Sequence, residues 1–300
     1  MSGAGGAALD GPPSGGAAAA VHAFDVTRPD GRTVRAYDAG GDGAVVLWQH
    51  GTPNVGAPPQ PLLAPAAELG LRWVSLDRGG YGGSSPHPGR SIADAAADAL
   101  AVLDALGVDR FAVMGYSGGG PHALACAALA PARVTAVAAV SPLAPIDAAG
   151  LDWFAGMGPT SRGALRAALA GVDDRRRFEA ENADAPLDFT ATDWSALTGP
   201  WGWLGTVAAE GLAAGVDGLI DDDRAYVTPW EVDLSAVSAP VLVVHAEDDR
   251  VVPVAHARWL AEHLPTAELR ALPGAGHIAA IADERRGALD ALRWLAQRLP

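Results

Sequence analysis

The sequence predicts an α/β fold, with a mostly parallel, eight-stranded sheet, helices on both of its faces and a helical cap insertion. Two observations lead to this prediction. Short apolar runs bounded by turn residues alternate with segments of helical period, as in sheets whose strands are joined by helices. The chain has 300 residues, of which 49% are hydrophobic, so it can bury one large core.

The apolar runs give the positions of the strands. We predict strands at residues 21–27, 33–37, 44–49, 72–76, 111–115, 134–141, 241–246 and 268–272. Helical periodicity predicts helices at residues 91–107, 255–264 and 284–299. In the first of these helices Ser91 and Asp94 form a capping box, and Gly107 ends the helix.

The alternation stops between residues 142 and 237. This segment holds five of the nine tryptophans, and Gly and Pro residues divide it into short amphipathic pieces. It is too long to be one loop of a compact domain. We therefore predict that residues 142–237, called the cap segment below, form a helical cap over the end of the sheet. The core would then consist of residues 21–141 and 238–300.

The N-terminal residues 1–20 are small and lack both a positively charged start and a run of large apolar side chains. A signal peptide or a membrane span needs these features. We therefore expect a disordered tail, no membrane partner and a cytoplasmic location.

Charge and cysteine content exclude several classes of protein. The formal net charge is -14, and all 21 basic residues are arginine. Without lysine the chain cannot form a Schiff base with pyridoxal phosphate, complete a phosphate-binding loop ending in GK[ST], or act as a kinase that needs a catalytic lysine. The acidic balance argues against nucleic-acid binding. Cys126 is the only cysteine, so no internal disulfide forms, and we expect a small buried side chain.

The stretch GYSGG, residues 115–119, lies between an apolar run and an alanine-rich helical run. Gly115 and Gly119 leave room for a sharp strand-to-helix turn, which would expose Ser117 at its apex. The same pattern also fits a purely structural turn. A serine nucleophile needs a base within hydrogen-bond reach and a carboxylate that orients the base.

Candidates for the base and for the orienting carboxylate lie near the C-terminus. The run VLVVHAEDD places Asp248 and Asp249 after a strand, and GAGH places His277 after the next strand. The order Ser, Asp, His is the one expected for this arrangement. Asp147, which comes after the predicted strand ending at Ser141, is a third candidate for the acid, although a polar residue that opens the cap segment is the simpler interpretation.

Five motifs in this order resemble the α/β-hydrolase fold family over most of the chain: HGTP at 50–53, DRGGYGGS at 77–84, GYSGG at 115–119, EDDRVVP at 247–253 and GAGH at 274–277. The resemblance implies that Ser117 is the nucleophile, His277 the base and Asp249 the orienting acid. It also implies an oxyanion hole formed by the backbone N–H groups of Thr52 and Gly118.

The remaining polar residues receive structural interpretations. We expect His50 to organise its loop and His122 to be a satisfied helical histidine, and we see no metal site at His256 and His263. Residues 221–223 are interpreted as a solvated acidic turn, and residues 175–177 as a solvated helix face.

Aromatic residues near the site are candidates for binding the substrate. We expect that Tyr116, Trp153 and Trp201 line an apolar pocket, because a cap over Ser117 must present side chains to the ligand.

These observations predict a serine hydrolase that cleaves a carboxylic ester or lactone of an apolar small molecule, without a cofactor or a metal. The alternatives are an aminopeptidase similar to proline iminopeptidases, a cofactor-free perhydrolase, and a ligand-binding receptor or pseudoenzyme on the same fold. The expected partner is a small-molecule substrate and not a nucleic acid or a membrane. The sequence is compatible with a homodimer.

Overall fold

The computed structural model describes residues 20–299. The predicted tail, residues 1–20, lies outside the described residues except for Ala20. The predicted eight-stranded sheet is confirmed, with every strand within two residues of its expected bounds. The strands are β1 (His22–Thr27), β2 (Thr33–Asp38), β3 (Ala44–Gln49), β4 (Leu71–Leu76), β5 (Phe111–Tyr116), β6 (Val134–Val140), β7 (Val241–Ala246) and β8 (Ala267–Leu272).

The order of the strands in the sheet is β1-β2-β4-β3-β5-β6-β7-β8. Strand β2 is antiparallel to both of its neighbours, and all the other pairs are parallel. The strands from β3 to β8 therefore all end at the same edge of the sheet. This edge is where open α/β sheets bind ligands.

Alternate residues of the central strands face opposite sides of the sheet. In β3, Val45 and Leu47 belong to one apolar cluster, whereas Val46 and Trp48 belong to the other. Helices cover both clusters, so the central strands are buried on both faces. This explains why their sequences are continuous apolar runs and not alternating ones.

Eleven α-helices accompany the sheet within residues 20–299. They are α1 (Leu63–Glu68), α2 (Ile92–Ala105), α3 (Gly119–Leu129), α4 (Pro159–Ala170), α5 (Val172–Glu181), α6 (Ala191–Leu197), α7 (Trp203–Leu212), α8 (Asp217–Tyr226), α9 (Val254–His263), α10 (His277–Ala282) and α11 (Ala288–Ala296). No helix in this part of the chain is both long enough and apolar enough to cross a membrane.

The local helix signals are mostly confirmed. Helix α2 begins with the predicted capping box of Ser91 and Asp94. Helix α11 begins four residues later than predicted, because the Asp283 carboxylate accepts the backbone N–H groups of Arg285 and Arg286 and holds a turn there.

Between β6 and β7 the described chain forms helices α4 to α8 and no strand. These helices occupy the cap segment. That the cap segment is a unit separate from the core stays a prediction.

The interpretation of residues 221–223 as a solvated acidic turn is wrong. All three carboxylates lie on α8 and are buried, and the side chain of Asp222 has no exposed surface. Three consecutive residues cover about 200° of a helix, so a helix that packs on a core must turn at least one of them inward. Arg78 and Arg90 form ion pairs with the inward carboxylate of Asp222.

The interpretation of residues 175–177 as a solvated helix face is also wrong in part. Arg175 is buried and forms ion pairs with Asp223 at 2.6 Å and Glu179 at 2.7 Å. The cap segment therefore has charged pairs inside it, which local sequence patterns do not reveal.

Buried His256 connects α9 to the start of the cap segment. Its Nδ1 accepts the backbone N–H of Ala144 at 3.1 Å, and its Nε2–H donates to the carbonyl of Trp153 at 2.9 Å. A neutral imidazole satisfies both bonds. Burial lowers the pKa of His256 from 6.5 to about 4.

This lowered pKa predicts a loss of stability in acid. The unfolded chain binds a proton at this histidine near pH 6.5, whereas the folded chain binds it only near pH 4, so the free energy of unfolding falls as the pH drops through this interval. For His256 alone the fall is about 3 kcal/mol. Urea unfolding measures the free energy of unfolding at pH 7.5 and at pH 4.5. The difference between these two free energies should be smaller for His256→Gln than for the wild type. His263→Gln, on the exposed side of the same helix, should leave the difference unchanged.

Candidate active site

Loops that follow four parallel strands meet at the carboxyl edge of the sheet. Thr52 follows β3, Ser117 follows β5, Asp249 follows β7 and His277 follows β8. The strand order places β5 next to β3, and β7 next to β8. The parallel sheet thus brings together residues that are far apart in the sequence.

Ser117 lies at the apex of a tight turn between β5 and α3. Its φ is +52°, a left-handed conformation that is uncommon for a residue with a side chain. A Cβ on Gly115 would lie 2.3 Å from the carbonyl oxygen of Gly119, and one on Gly119 would lie 2.0 Å from that of Gln49. Both predicted glycines are therefore required for the turn, and the strain indicates a functional constraint on Ser117.

Ser117, His277 and Asp249 form one chain of hydrogen bonds. His277 Nδ1 lies 2.7 Å from Asp249 Oδ2, and His277 Nε2 lies 2.9 Å from Ser117 Oγ. An ionised carboxylate only accepts, so Nδ1 carries the proton and Nε2 accepts the serine hydroxyl. The structure thus brings together the three residues that the sequence proposed as nucleophile, base and acid.

The Asp249 carboxylate is buried and fully hydrogen-bonded. Its Oδ1 accepts the N–H groups of Val251 at 2.9 Å and Val252 at 2.8 Å. Burial acts to raise its pKa, but the charge of His277 and the hydrogen bonds from His245 and His277 outweigh burial and hold the pKa well below its usual range. Asp249 therefore stays ionised at neutral pH.

The two other candidates for the acid lie elsewhere. Asp248 is exposed, and Asp147 is exposed at the start of the cap segment. Only Asp249 among the three lies within hydrogen-bond distance of His277.

The two residues proposed for the oxyanion hole are neighbours. A Cβ on Gly118 would lie 2.6 Å from Thr52 Oγ1 and 2.2 Å from the hydroxyl of Tyr226. The backbone N–H groups of Thr52 and Gly118 have no hydrogen-bond acceptor among residues 20–299. Their role as oxyanion donors stays a prediction.

His50 holds the loop that carries Thr52. Its Nδ1 lies 2.8 Å from the carbonyl oxygen of Gly51, and its Nε2 lies 3.2 Å from the backbone N–H of Arg78. Nε2 must accept this N–H, so Nδ1–H donates to Gly51. Burial and then the charge of Arg78 keep the pKa of His50 well below its usual range. His50 is therefore neutral and orients the loop, as expected.

The three proposed pocket residues have different surroundings. Tyr116 packs against His277, with 5.3 Å between ring centroids, and its hydroxyl donates to the His277 carbonyl at 3.4 Å. Trp201 is buried in the same apolar cluster as Tyr116. Trp153 packs on His256 and donates Nε1–H to Ala144, so its contacts belong to the connection between cap segment and core. A role of these residues in substrate binding stays a prediction.

Two buried carboxylates that the sequence did not indicate reach the site from the cap segment. Asp222 on α8 accepts the Thr52 hydroxyl at 2.5 Å. Asp193 on α6 accepts the N–H groups of Ile278 at 2.7 Å and Ala279 at 2.9 Å, directly after His277. A capping pattern in the sequence indicates the start of α6, but nothing in it reveals the contact with α10.

Two further buried groups lie on α3, which follows Ser117. His122 was expected to be satisfied, but neither ring nitrogen has a hydrogen-bond partner among the described residues, and Nε2 lies 3.9 Å from Asp222 Oδ1. Burial raises the pKa of Cys126 to about 12, so this thiol is a poor nucleophile. Within residues 20–299, no group of three or more His, Cys, Asp or Glu residues is placed to hold a metal ion.

Comparisons with known proteins identify the family. Residues 44–283 match the family model described as alpha/beta hydrolase fold. Over 261 residues the chain is 30% identical to a non-heme chloroperoxidase of Streptomyces lividans, covering 84% of this chain and 92% of the relative. The chain therefore belongs to the α/β hydrolase fold family, and it is a hydrolase of this fold.

Solved structures agree with this fold. A thermophilic esterase from Thermogutta terrifontis has a TM-score of 0.67 and 22% identity, and the match covers 93% of this chain and all of that one. An enol-lactonase from Burkholderia xenovorans LB400 also has a TM-score of 0.67. It is 21% identical, and the match covers 91% of this chain and 98% of that one. At these identities the likeness concerns the fold alone.

The close contacts around Gly118 give a stability prediction. In Gly118→Ala the new methyl group would overlap Tyr226 and Thr52, and overpacking of this kind costs about 1–3 kcal/mol. Gly205→Ala is the matched control, because a Cβ there meets no atom within 4 Å and α7 gains a better helix former. Thermal unfolding should show a lower midpoint for Gly118→Ala and an unchanged or higher one for Gly205→Ala. Equal midpoints would contradict the close packing of Gly118 against Tyr226 and Thr52.

Proposed function

We propose that the protein hydrolyses a carboxylic ester or lactone of an apolar small molecule through an acyl-enzyme intermediate on Ser117. The observation that carries the proposal is the chain of hydrogen bonds from Asp249 through His277 to Ser117. A serine hydroxyl is unreactive at neutral pH unless a positioned base removes its proton.

In the first half of the reaction, Ser117 Oγ attacks the carbonyl carbon while His277 Nε2 takes the hydroxyl proton. The buried carboxylate of Asp249 stabilises the imidazolium that forms. The N–H groups of Gly118 and Thr52 stabilise the negative oxygen of the tetrahedral intermediate. His277 then gives its proton to the leaving alcohol, and the acyl group stays on Ser117.

In the second half, water takes the place of the alcohol. His277 removes a proton from the water, which attacks the acyl carbon, and the proton returns to Ser117 as the acid leaves. In a lactone the leaving alcohol stays attached to the acyl group, so the product is a single hydroxy acid. We expect an apolar part of the substrate to lie near Tyr116, whose ring packs against His277 and which shares an apolar cluster with Trp201 and Leu204.

A panel of p-nitrophenyl esters, lactones and an N-terminal prolyl amide tests the proposal. We expect turnover of esters or lactones by the wild type and nearly complete loss of turnover in Ser117→Ala, with at most a small residue from binding and the oxyanion hole. Asp249→Asn should lower kcat by about 10,000-fold, because the neutral amide no longer fixes the imidazole tautomer. Asp248→Asn is the control, and its kcat should stay within about twofold because this exposed side chain makes no bond to His277.

Other results of this panel would contradict the proposal. Preferred turnover of the prolyl amide would support an aminopeptidase. Binding of ligands without turnover, by protein shown to be folded, would support a receptor.

Perhydrolysis is a second candidate function, because the chain is similar to a non-heme chloroperoxidase of Streptomyces lividans and a peroxidase uses hydrogen peroxide as a substrate. Hydrogen peroxide would attack the same acyl group on Ser117 in place of water, so a peracid would leave instead of the acid. We expect peracid formation from an ester and hydrogen peroxide to disappear in Ser117→Ala. Peracid formation that persists in this variant would exclude the acyl-enzyme route.

A further inference from the structure

Helix α8 of the cap segment faces both candidate oxyanion donors. Asp222 and Tyr226 lie four residues apart, on the same face of the helix. Asp222 accepts the hydroxyl of Thr52 at 2.5 Å, and the Tyr226 hydroxyl lies 2.6 Å from the same oxygen. Since the Thr52 proton goes to Asp222, Tyr226 is the donor in the second bond. The Tyr226 hydroxyl also lies against Gly118.

Asp222 is the centre of a fully buried group of charges. Arg78 donates Nε–H to Oδ1 at 2.9 Å and Nη2–H to Oδ2 at 2.6 Å, and Arg90 donates Nη2–H to Oδ1 at 2.7 Å. Tyr81 donates its hydroxyl to Oδ2 at 3.0 Å. Burial acts to raise the pKa of Asp222, but the two arginines hold it well below the usual range. Asp222 is therefore an ionised acceptor with fixed partners.

The same arginine reaches the peptide group that precedes Thr52. Arg78 Nη1–H donates to the carbonyl of His50 at 2.6 Å, and Nη2–H to that of Gly51 at 3.4 Å. The Gly51 carbonyl also accepts Nδ1–H of His50. A peptide whose carbonyl accepts hydrogen bonds is polarised, so its N–H becomes a stronger donor. In the Gly51–Thr52 peptide that N–H belongs to Thr52.

We infer that Asp222 is a positioning residue for the oxyanion hole, and that it acts through Thr52 and Arg78. Its carboxylate fixes the Thr52 side chain directly and fixes the guanidinium that supports the Gly51 carbonyl. The inference rests on the proposed function, because only a reaction with an oxyanion uses the Thr52 N–H. An interaction that matters mainly in the transition state lowers kcat when it is lost and leaves KM nearly unchanged.

The first test is Asp222→Asn, with Asp221→Asn as the matched control. We expect Asp222→Asn to lower kcat for the best ester by about 100-fold, with KM within about threefold, as for the loss of one oxyanion donor. Asp221 is its neighbour on α8 and accepts only the N–H of Gly89 among the described residues, at 3.2 Å. Asp221→Asn should leave kcat and KM unchanged.

Thr52→Val is the second variant. If Asp222→Asn does not fold, this variant still tests whether the bond between Asp222 and Thr52 supports the oxyanion hole. It removes the link to Asp222 while the ion pairs with Arg78 and Arg90 and the Thr52 backbone stay. We expect kcat to fall about tenfold at constant KM, since the N–H remains but is held less firmly. Where both variants fold, the double variant should lose less than the product of the two single effects. Unchanged kcat in Thr52→Val, or a change in KM alone, would overturn the inference.

Hydrogen exchange separates this inference from the proposed function. Mass spectrometry should show faster exchange over residues 50–56 in Thr52→Val than in the wild type, and no change in Asp221→Asn. If the wild type hydrolyses no ester but exchange still rises in Thr52→Val, the proposed function fails and the support of the loop stands. If esters are hydrolysed and neither kcat nor exchange changes in Thr52→Val, the inference fails alone.

Discussion

The hydrogen bond between His277 Nε2 and Ser117 Oγ joins residues that are 160 positions apart in the sequence. It exists because parallel strands β5 and β8 end at the same edge of one sheet. Its geometry depends on a strained turn at Ser117 on one side and on buried Asp249 on the other. The left-handed backbone conformation of Ser117 costs about 1–3 kcal/mol, so favourable contacts in the surrounding structure must offset this strain.

The cap segment contributes to the site through buried charge. Asp193 holds the chain directly after His277, and Asp222 holds the loop of Thr52. Removing one partner of a buried ion pair costs about 3–5 kcal/mol because the other charge is left buried and unpaired, so the loss of Asp222 or Arg78 alone would destabilise the packing of α8 on the core. The cap segment and the core thus share the residues that shape the site.

The sequence predicts those features that local patterns determine. Apolar runs followed by turn residues locate the strands, and the same runs locate Ser117, Asp249 and His277 at strand ends. The family resemblance favours Asp249 over Asp248 as the acid. The structure adds the physical reason, because Asp248 is exposed whereas Asp249 contacts His277.

Contacts between distant segments could not be predicted in this way. Asp222 lies 170 residues from Thr52 and 144 from Arg78, and the three consecutive acids look solvated until α8 is placed on the core. Which of the three acids turns inward depends on the rotation of the helix, which no local pattern specifies.

Whether Ser117 is an activated nucleophile can be measured by peptide mass spectrometry after exposure to a fluorophosphonate probe. We expect a single adduct on the peptide that contains Ser117. We expect no adduct in Ser117→Ala or in His277→Ala. An unlabelled wild type that is shown to be folded, or an adduct on another residue, would show that Ser117 is not activated by His277.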